Sequence, residues 1–275
     1  MSMYELKTDD PNDSDEAWLR GYFGIAPDAD KGKVVQPKRR RKNVDFLRLR
    51  DVALHALAPA PGMKLLDIGC ANGPTMVYCG LQGATVFGVD LDPKHVATAN
   101  EFMRRYKVKG EAICADASKL DFPDNTFDGV IASDFVEHIT DDVKVAVLSE
   151  VRRVLKPGAR AVIKTPNLTY LTASLRFRQA KALLRLEDPR KYVIPHTPGT
   201  DDPQHIGLAT RWTLRDCAVK AGFLNYRWLY APLRRFGTSK LVEVLSTEVP
   251  YLRDTLCEEL FMVAYKPIVL SHFPD

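Results

Sequence analysis

Five short apolar runs, separated by stretches with helical periodicity, most tightly limit what this chain can fold into. They lie at 64–68 ("KLLDI"), 85–90 ("TVFGVD"), about 111–115, 127–134 ("FDGVIASD") and 159–166 ("ARAVIKTP"). Each has strand length and is bounded by glycine, proline or acidic turn residues. The intervening segments read as helices: 44–57, stopped by "APAPG"; one opened by Pro74 and ending near Gly80 or Gly83; 93–106; and 141–155. In the last of these, Val143, Val147, Val151 and Val154 fall along one side. Apolar strands that alternate with helices predict an α/β fold, a doubly wound and mostly parallel sheet covered by helices on both faces.

The rhythm breaks at 167–209. "YLTASLRFRQAKALLRLEDPRKY" reads as a helix and is followed by the proline- and glycine-rich "VIPHTPGTDDPQHIG". An insertion after a parallel strand falls at the carboxyl edge, where open sheets bind ligands, so this segment is the expected substrate cap. An amphipathic helix, "TRWTLRDCAVKAGF", comes next, then apolar material at 223–231 and a last strand near 260–265.

At the other end, residues 1–30 carry eight acids against Lys7 and Arg20, and residues 31–50 carry nine bases against Asp45. This switch divides the chain into an N-terminal arm or lid, 1–43, and a main domain, 44–275. The basic run "QPKRRRK" at 36–42 is a candidate phosphate or RNA contact, although a solvated helix lead-in has the same composition. Overall, 39 Lys+Arg against 35 Asp+Glu leave +4, a surplus too small to imply nucleic acid by itself. The five cysteines, Cys70, Cys79, Cys114, Cys217 and Cys257, have no paired ligand spacing and read as reduced core residues of an intracellular protein. No secretory leader and no spanning apolar run is present, so the expected location is cytoplasmic.

"LLDIGCANG" at 65–73 carries the chemistry. Gly69 permits close backbone approach to a ligand and Gly73 a tight entry into the following helix. The residues between them, Cys70, Ala71 and Asn72, do not complete a dinucleotide GxGxxG. Asp67 in the first strand would oppose a pyrophosphate but could orient an ammonium. Asp90 at the end of the second offers two acceptors to the hydroxyls of a ribose, and Asp116 near the end of the third could accept from an adenine amino group. Each acid alone could equally cap a turn or helix. Together they outline one elongated ligand with an amine, a ribose and a base.

These residues resemble the class I S-adenosylmethionine-dependent methyltransferases, in particular the small-molecule group that includes quinone-biosynthesis enzymes. "LLDIGCANG" is similar to the first motif of that family, with Ala71 in place of the commoner glycine. "VFGVDLDP" resembles the second-strand acidic motif, "ICADASKLDFPDNTFDGVIASDFVEHI" the third and fourth, and "EVRRVLKPGARAVIKTPN" the fifth-strand region. The resemblance implies a Rossmann-like seven-stranded sheet with its last strand antiparallel and a helical and loop cap over the carboxyl edge. It also implies S-adenosylmethionine as cofactor. Asp67, Gly69, Cys70, Ala71 and Gly73 would surround the methionine part, Asp90 and Leu91 the ribose, and Asp116 and Ala117 the adenine. Ser133, Asp134 and Phe135 would lie near the transferable methyl.

The reaction implied is in-line methyl transfer to a small-molecule acceptor, with oxygen favoured as the methylated atom. An acceptor hydroxyl needs a base, and His138 and His205 are the candidates, ahead of His196. Glu137, Asp201 and Asp202 add acids, but no compact ligand motif, so no metal is expected. Aromatics in the arm and cap (Trp18, Tyr22, Phe23, Tyr170, Phe177, Tyr192, Trp212) alternate with bases such as Arg176, Lys181 and Arg185. An anionic acceptor with an apolar portion fits that mixture, as would an acidic carrier protein or membrane headgroups. Competing readings are an RNA or protein methyltransferase, a nicotinamide-dependent oxidoreductase and a cofactor-binding protein without turnover.

Overall fold

A computed structural model describes residues 26–28, 33–35, 49–201, 203–231 and 240–268 of the chain. Trp18, Tyr22, Phe23, the basic run 36–42 and Asp202 lie outside the described residues. A short hairpin, β1 (Ala26–Asp28) and β2 (Lys33–Val35), pairs antiparallel. The main domain then runs α1 (Leu49–Leu57), β3 (Lys64–Ile68), α2 (Pro74–Leu81), β4 (Thr85–Asp90), α3 (Pro93–Arg105), β5 (Lys109–Cys114) and β6 (Phe127–Ser133). A 3-10 turn at Val136–His138, α4 (Asp141–Val154), β7 (Leu155–Pro166) and α5 (Leu168–Leu184) follow. After a second 3-10 turn at Pro189–Lys191 come α6 (Arg211–Lys220), β8 (Asn225–Leu229), α7 (Lys240–Thr247), α8 (Leu252–Leu256) and β9 (Glu259–Tyr265).

The seven-stranded sheet has the order β5-β4-β3-β6-β7-β9-β8. β9 runs antiparallel to both β7 and β8, and the other pairings are parallel. This is the doubly wound, seven-stranded arrangement expected, antiparallel last strand included. Side chains that alternate along β3 divide the core in two. Leu65 packs with Leu54 and Leu57 of α1, Met76 of α2 and Phe102 of α3. Leu66 and Ile68 pack on the opposite face with Val147 and Val151 of α4 and Leu214 of α6.

Several elements depart from the expected boundaries: β5 starts at Lys109, and the helix expected across 170–192 ends at Leu184, where Leu186 turns to a positive φ of 59° and Pro189–Lys191 form a separate 3-10 turn. α4 stops at Val154 because Leu155 turns extended, and β7 starts there and continues through Lys156, Pro157 and Gly158. Pairing with β6 jumps from Phe127↔Leu155 to Gly129↔Arg160, so "KPG" is a bulge inside one strand. The apolar side of α4 also differs: Val143 is exposed, whereas the neighbouring Lys144 is fully buried. The Lys144 ammonium donates to the Asp141 carboxylate (2.6 Å) and to the Gly207 carbonyl (2.6 Å), the pairing a buried cation requires. Four cysteines are buried and Cys114 is exposed, all as thiols. Among the described residues no helix is long and apolar enough to cross a membrane.

Candidate active site

Parallel β3, β4, β5, β6 and β7 all end at one edge, and that edge assembles the site. The chain leaves β3 through Gly69, whose amide and that of Cys70 both donate to the Val89 carbonyl of β4 (2.9 and 3.0 Å). Gly69 has φ +69°, and a Cβ there would stand 2.5 Å from Cδ2 of Phe135. The absent side chain therefore lets the residues after β6 close over the β3 turn. At Gly73 (φ +79°) a Cβ would come within 2.8 Å of the Ala99 Cβ, so this glycine sets how closely α2 approaches α3.

Ala71 also holds a positive φ, 45°. Its amide donates to Asp90 Oδ2 (2.9 Å), which fastens the turn to the end of β4. A left-handed alanine costs roughly 1–2 kcal/mol, part of which is offset by its stiffer unfolded chain. Ala71→Gly is thus expected to raise unfolding free energy by roughly 0.5 kcal/mol in urea titrations; a loss of stability would mean the turn is not strained there.

Asp90 Oδ1 accepts from the Asp92 amide (2.9 Å), so each of its oxygens has one backbone donor and keeps further acceptor capacity. Asp67 is 3% exposed, and no donor to its carboxylate is present among the described residues. Burial first, and the neighbouring Asp90 charge second, push its carboxyl well above the ordinary range. A buried acid without a donor is the arrangement a ligand cation would relieve. Leu91, 70% exposed, follows Asp90 at the rim. Asp116 is exposed and one oxygen accepts from the Ser118 amide (2.8 Å), which holds its carboxyl below the usual value. Here the turn-capping role is realised, with the Ser118 hydroxyl assisting its amide; Ala117 beside it is buried.

On the β6–β7 side the site is ionic. Ser133 closes β6, Asp134 takes a positive φ of 54°, and its carboxylate receives the Lys164 ammonium. Lys164 is buried in β7; desolvation works against its charge, but Glu259 and Asp134 outweigh that and raise its pKa. Glu137, 1% exposed, accepts a hydrogen bond from the Thr165 hydroxyl (2.9 Å). Burial, assisted by Asp134, lifts its carboxyl from 4.5 to about 7.

This shift carries a sign for stability. The fold favours protonated Glu137, so its contribution is complete below the unfolded value and lost as pH climbs through about 7. Unfolding free energy should decline by up to about 3 kcal/mol between roughly pH 4.5 and 8 from this group. Glu137→Gln is expected to flatten the decline in urea titrations across that range; an undiminished slope would assign it to other groups.

The segment after α5 brings His196 and His205 beside His138. Nδ1 of His138 lies 3.1 Å from the Gln204 carbonyl. Because a carbonyl only accepts, that bond places the proton on Nδ1 and the lone pair on Nε2. The rings of His138 and His205 stand 5.1 Å apart, and those of His205 and His196 5.2 Å. Glu137, His138 and His205 each offer an atom within 4.8 Å of the others, a convergence their sequence spacing does not announce. The segment around Gly207 is pinned by the Gly207 amide to the Glu137 carbonyl (2.8 Å), by Lys144 to the Gly207 carbonyl, and by the Asn167–Ala209 bridge.

Not every expected residue joins. Phe177 is 67% and Trp212 55% exposed, the latter between the guanidinium groups of Arg211 and Arg215. Tyr192 bonds Glu187 (3.1 Å). Lys164, Thr165 and Lys144 were the unanticipated members; for the two lysines the cue was charge placed inside otherwise apolar patterns.

Residues 66–163 match a family model described as a methyltransferase domain. Sterol 24-C-methyltransferase ERG6B of Gibberella zeae is 36% identical over 107 residues, covering 38% of this chain and 28% of that protein. A ubiquinone biosynthesis O-methyltransferase of Bradyrhizobium sp. is 33% identical over 162 residues, covering 56% and 62%. Among the relatives first in similarity, the matched stretches span from 21% to 62% of the relative's own length. A solved SAM-dependent methyltransferase from Archaeoglobus fulgidus shares the fold, with TM-score 0.54, 21% identity and coverage of 82% and 95%.

Proposed function

We infer, from the premise that this chain is a class I S-adenosylmethionine-dependent methyltransferase by fold and by its matched domain, that it methylates a small-molecule acceptor, with oxygen the favoured atom. The observation that carries this reading is the meeting of Asp67, the Gly69 turn, Asp90 and Phe135 at one sheet edge, with the His138–His205 pair in the segment that follows Phe135 and its partner loop. When bound, S-adenosylmethionine supplies a sulfonium methyl for in-line displacement by the acceptor.

The residues present fit that cofactor. Asp67 is a buried carboxylate lacking a donor, suited to the cationic methionine end directly or through water. Asp90 keeps acceptor capacity on both oxygens for ribose hydroxyls. Leu91, Ala117 and the Asp116 carboxylate would border the adenine, while Cys70, Ala71 and Gly73 shape the turn against which the cofactor lies. Ser133, Asp134 and Phe135 would border the methyl. Holding donor and acceptor in line can supply roughly 7–11 kcal/mol of the barrier reduction in favourable cases.

His138, with its lone pair on Nε2, would take the acceptor proton, and His205 would position the acceptor or share that proton. Residues 167–209 form the substrate cap in this reading. Its bases suit an anionic acceptor with an apolar portion, and a cytoplasmic location goes with the reading. Incubating the protein and cell extract with methyl-labelled S-adenosylmethionine should yield a labelled small molecule, detected by untargeted mass spectrometry. Label found only in RNA or protein, or in nothing across acceptor panels, would count against it.

A further inference from the structure

Helix α5 leaves the sheet edge with a fixed beginning and an uncovered remainder. Its N-cap, Asn167, accepts from the Thr169 amide and donates to the carbonyls of Asp254 and Cys257, so the first turn is anchored. Farther along, Ala182 is its only buried residue. Gln179, on the Ala182 side, reaches the Tyr192 carbonyl (3.3 Å) of the returning loop. The helical repeat places Phe177, Lys181 and Leu184 on the other side. Phe177 is 67%, Leu184 87% and the following Leu186 97% exposed, with Leu183 at 61%.

Charge narrows what could cover this face. Between 176 and 191 there are six Arg and Lys residues against Glu187 and Asp188, and Asp188 is already paired with Arg190. In a twofold pair of chains built on this face, Lys181 and Arg185 would approach their own copies, a like-charge arrangement that disfavours self-association. A narrow apolar ridge flanked by long cationic side chains instead suits a bilayer surface: the ridge enters the headgroup–acyl boundary and the Arg and Lys heads stay at the phosphates. We propose that the outward face of α5, with Leu186 at its end, docks on an anionic lipid bilayer. Because α5 starts at the carboxyl edge of β7, docking would bring the cap toward the lipid surface.

The test is sedimentation of the full-length protein with vesicles of phosphatidylcholine alone or with about 30 mol% phosphatidylserine. The wild type should partition into the anionic vesicles at least about tenfold more strongly, with the difference shrinking in high salt. Leu184→Glu with Leu186→Glu should lower that partition at least about tenfold, and Lys181→Glu with Arg185→Glu should remove the preference for anionic lipid. Calorimetry should find S-adenosylmethionine affinity retained in both pairs, which certifies the fold without requiring turnover. Equal sedimentation of wild type and variants, or no anionic preference, would overturn the proposal. So would a lipid-free dimer in analytical ultracentrifugation that the leucine pair dissolves, since a second copy would then own the face. Vesicle binding is read without an acceptor, so its failure leaves the methyl-transfer reading untouched.

Discussion

Asp90→Ala is expected to weaken S-adenosylmethionine binding by about 100-fold, or about 2.7 kcal/mol. Hydrogen bonds to a charged acceptor contribute about 1.5–3 kcal/mol each, and two ribose hydroxyls would lose theirs together. The substitution has a second consequence inside the protein. It deprives the Ala71 and Asp92 amides of their acceptor, so the β3 turn loses one of its ties to β4 and keeps those of the Gly69 and Cys70 amides to Val89. Asp90→Asn separates the two effects, since it retains one oxygen for the turn and should lose about tenfold in affinity. Calorimetry reads the affinities and urea titration reads the turn. Unchanged affinity in Asp90→Ala would remove the ribose assignment whatever happened to stability.

His138→Ala should lower kcat by about 100-fold or more on an acceptor hydroxyl while leaving cofactor affinity near wild type. The imidazole is held by the Gln204 carbonyl through Nδ1, which fixes the tautomer a base requires. A packing role would instead appear as lost stability without a change in the pH profile. Deletion of a base should remove the acidic limb of kcat against pH, and turnover should recover partly at high pH, where the acceptor ionises unaided. Glu137 and His205 stand close enough to His138 to hold a cation with it, so a chelator belongs in the same experiment. Turnover that chelation abolishes and a divalent ion restores would make His138 a ligand and defeat the base assignment. An unaltered rate in His138→Ala would remove it from the chemistry altogether.

The inner parallel strands could be read from the chain because β3, β6 and the second half of β7 are nearly continuous apolar runs, buried on both faces, and the intervening helices have one greasy side, whereas the edge strand β5 exposes most of its residues. Asp67 and Asp90 stood out for the opposite reason, as acids within or at the end of such runs beside the glycine turn. The ionic half was less legible. Lys164 sits in "AVIKTP" and Lys144 in an amphipathic helix, where a charged residue is ordinarily assigned to solvent. Their decisive partners are remote in sequence; Lys144, besides Asp141 one turn away, meets the carbonyl of a residue 63 positions away. Helices α7 and α8 went unanticipated because five- and eight-residue helices hold too few turns for periodicity to register. Phe177 illustrates the converse error: an aromatic at helical spacing suggests a wall, but which way a helix faces is decided by the docking of its first turn.

The strap around Gly207 separates two kinds of change available to this protein over evolutionary time. Sheet ends carry the groups suited to a shared cofactor, whereas 193–206 hangs between α5 and a few main-chain and lysine fasteners. Replacement of that segment, with Lys144 and Gly207 retained, would leave β3 and β4 undisturbed. On the proposed reading, in which this stretch faces the acceptor, new acceptor preferences would arise by exchanging one stretch of chain, with the costly half of the architecture inherited intact.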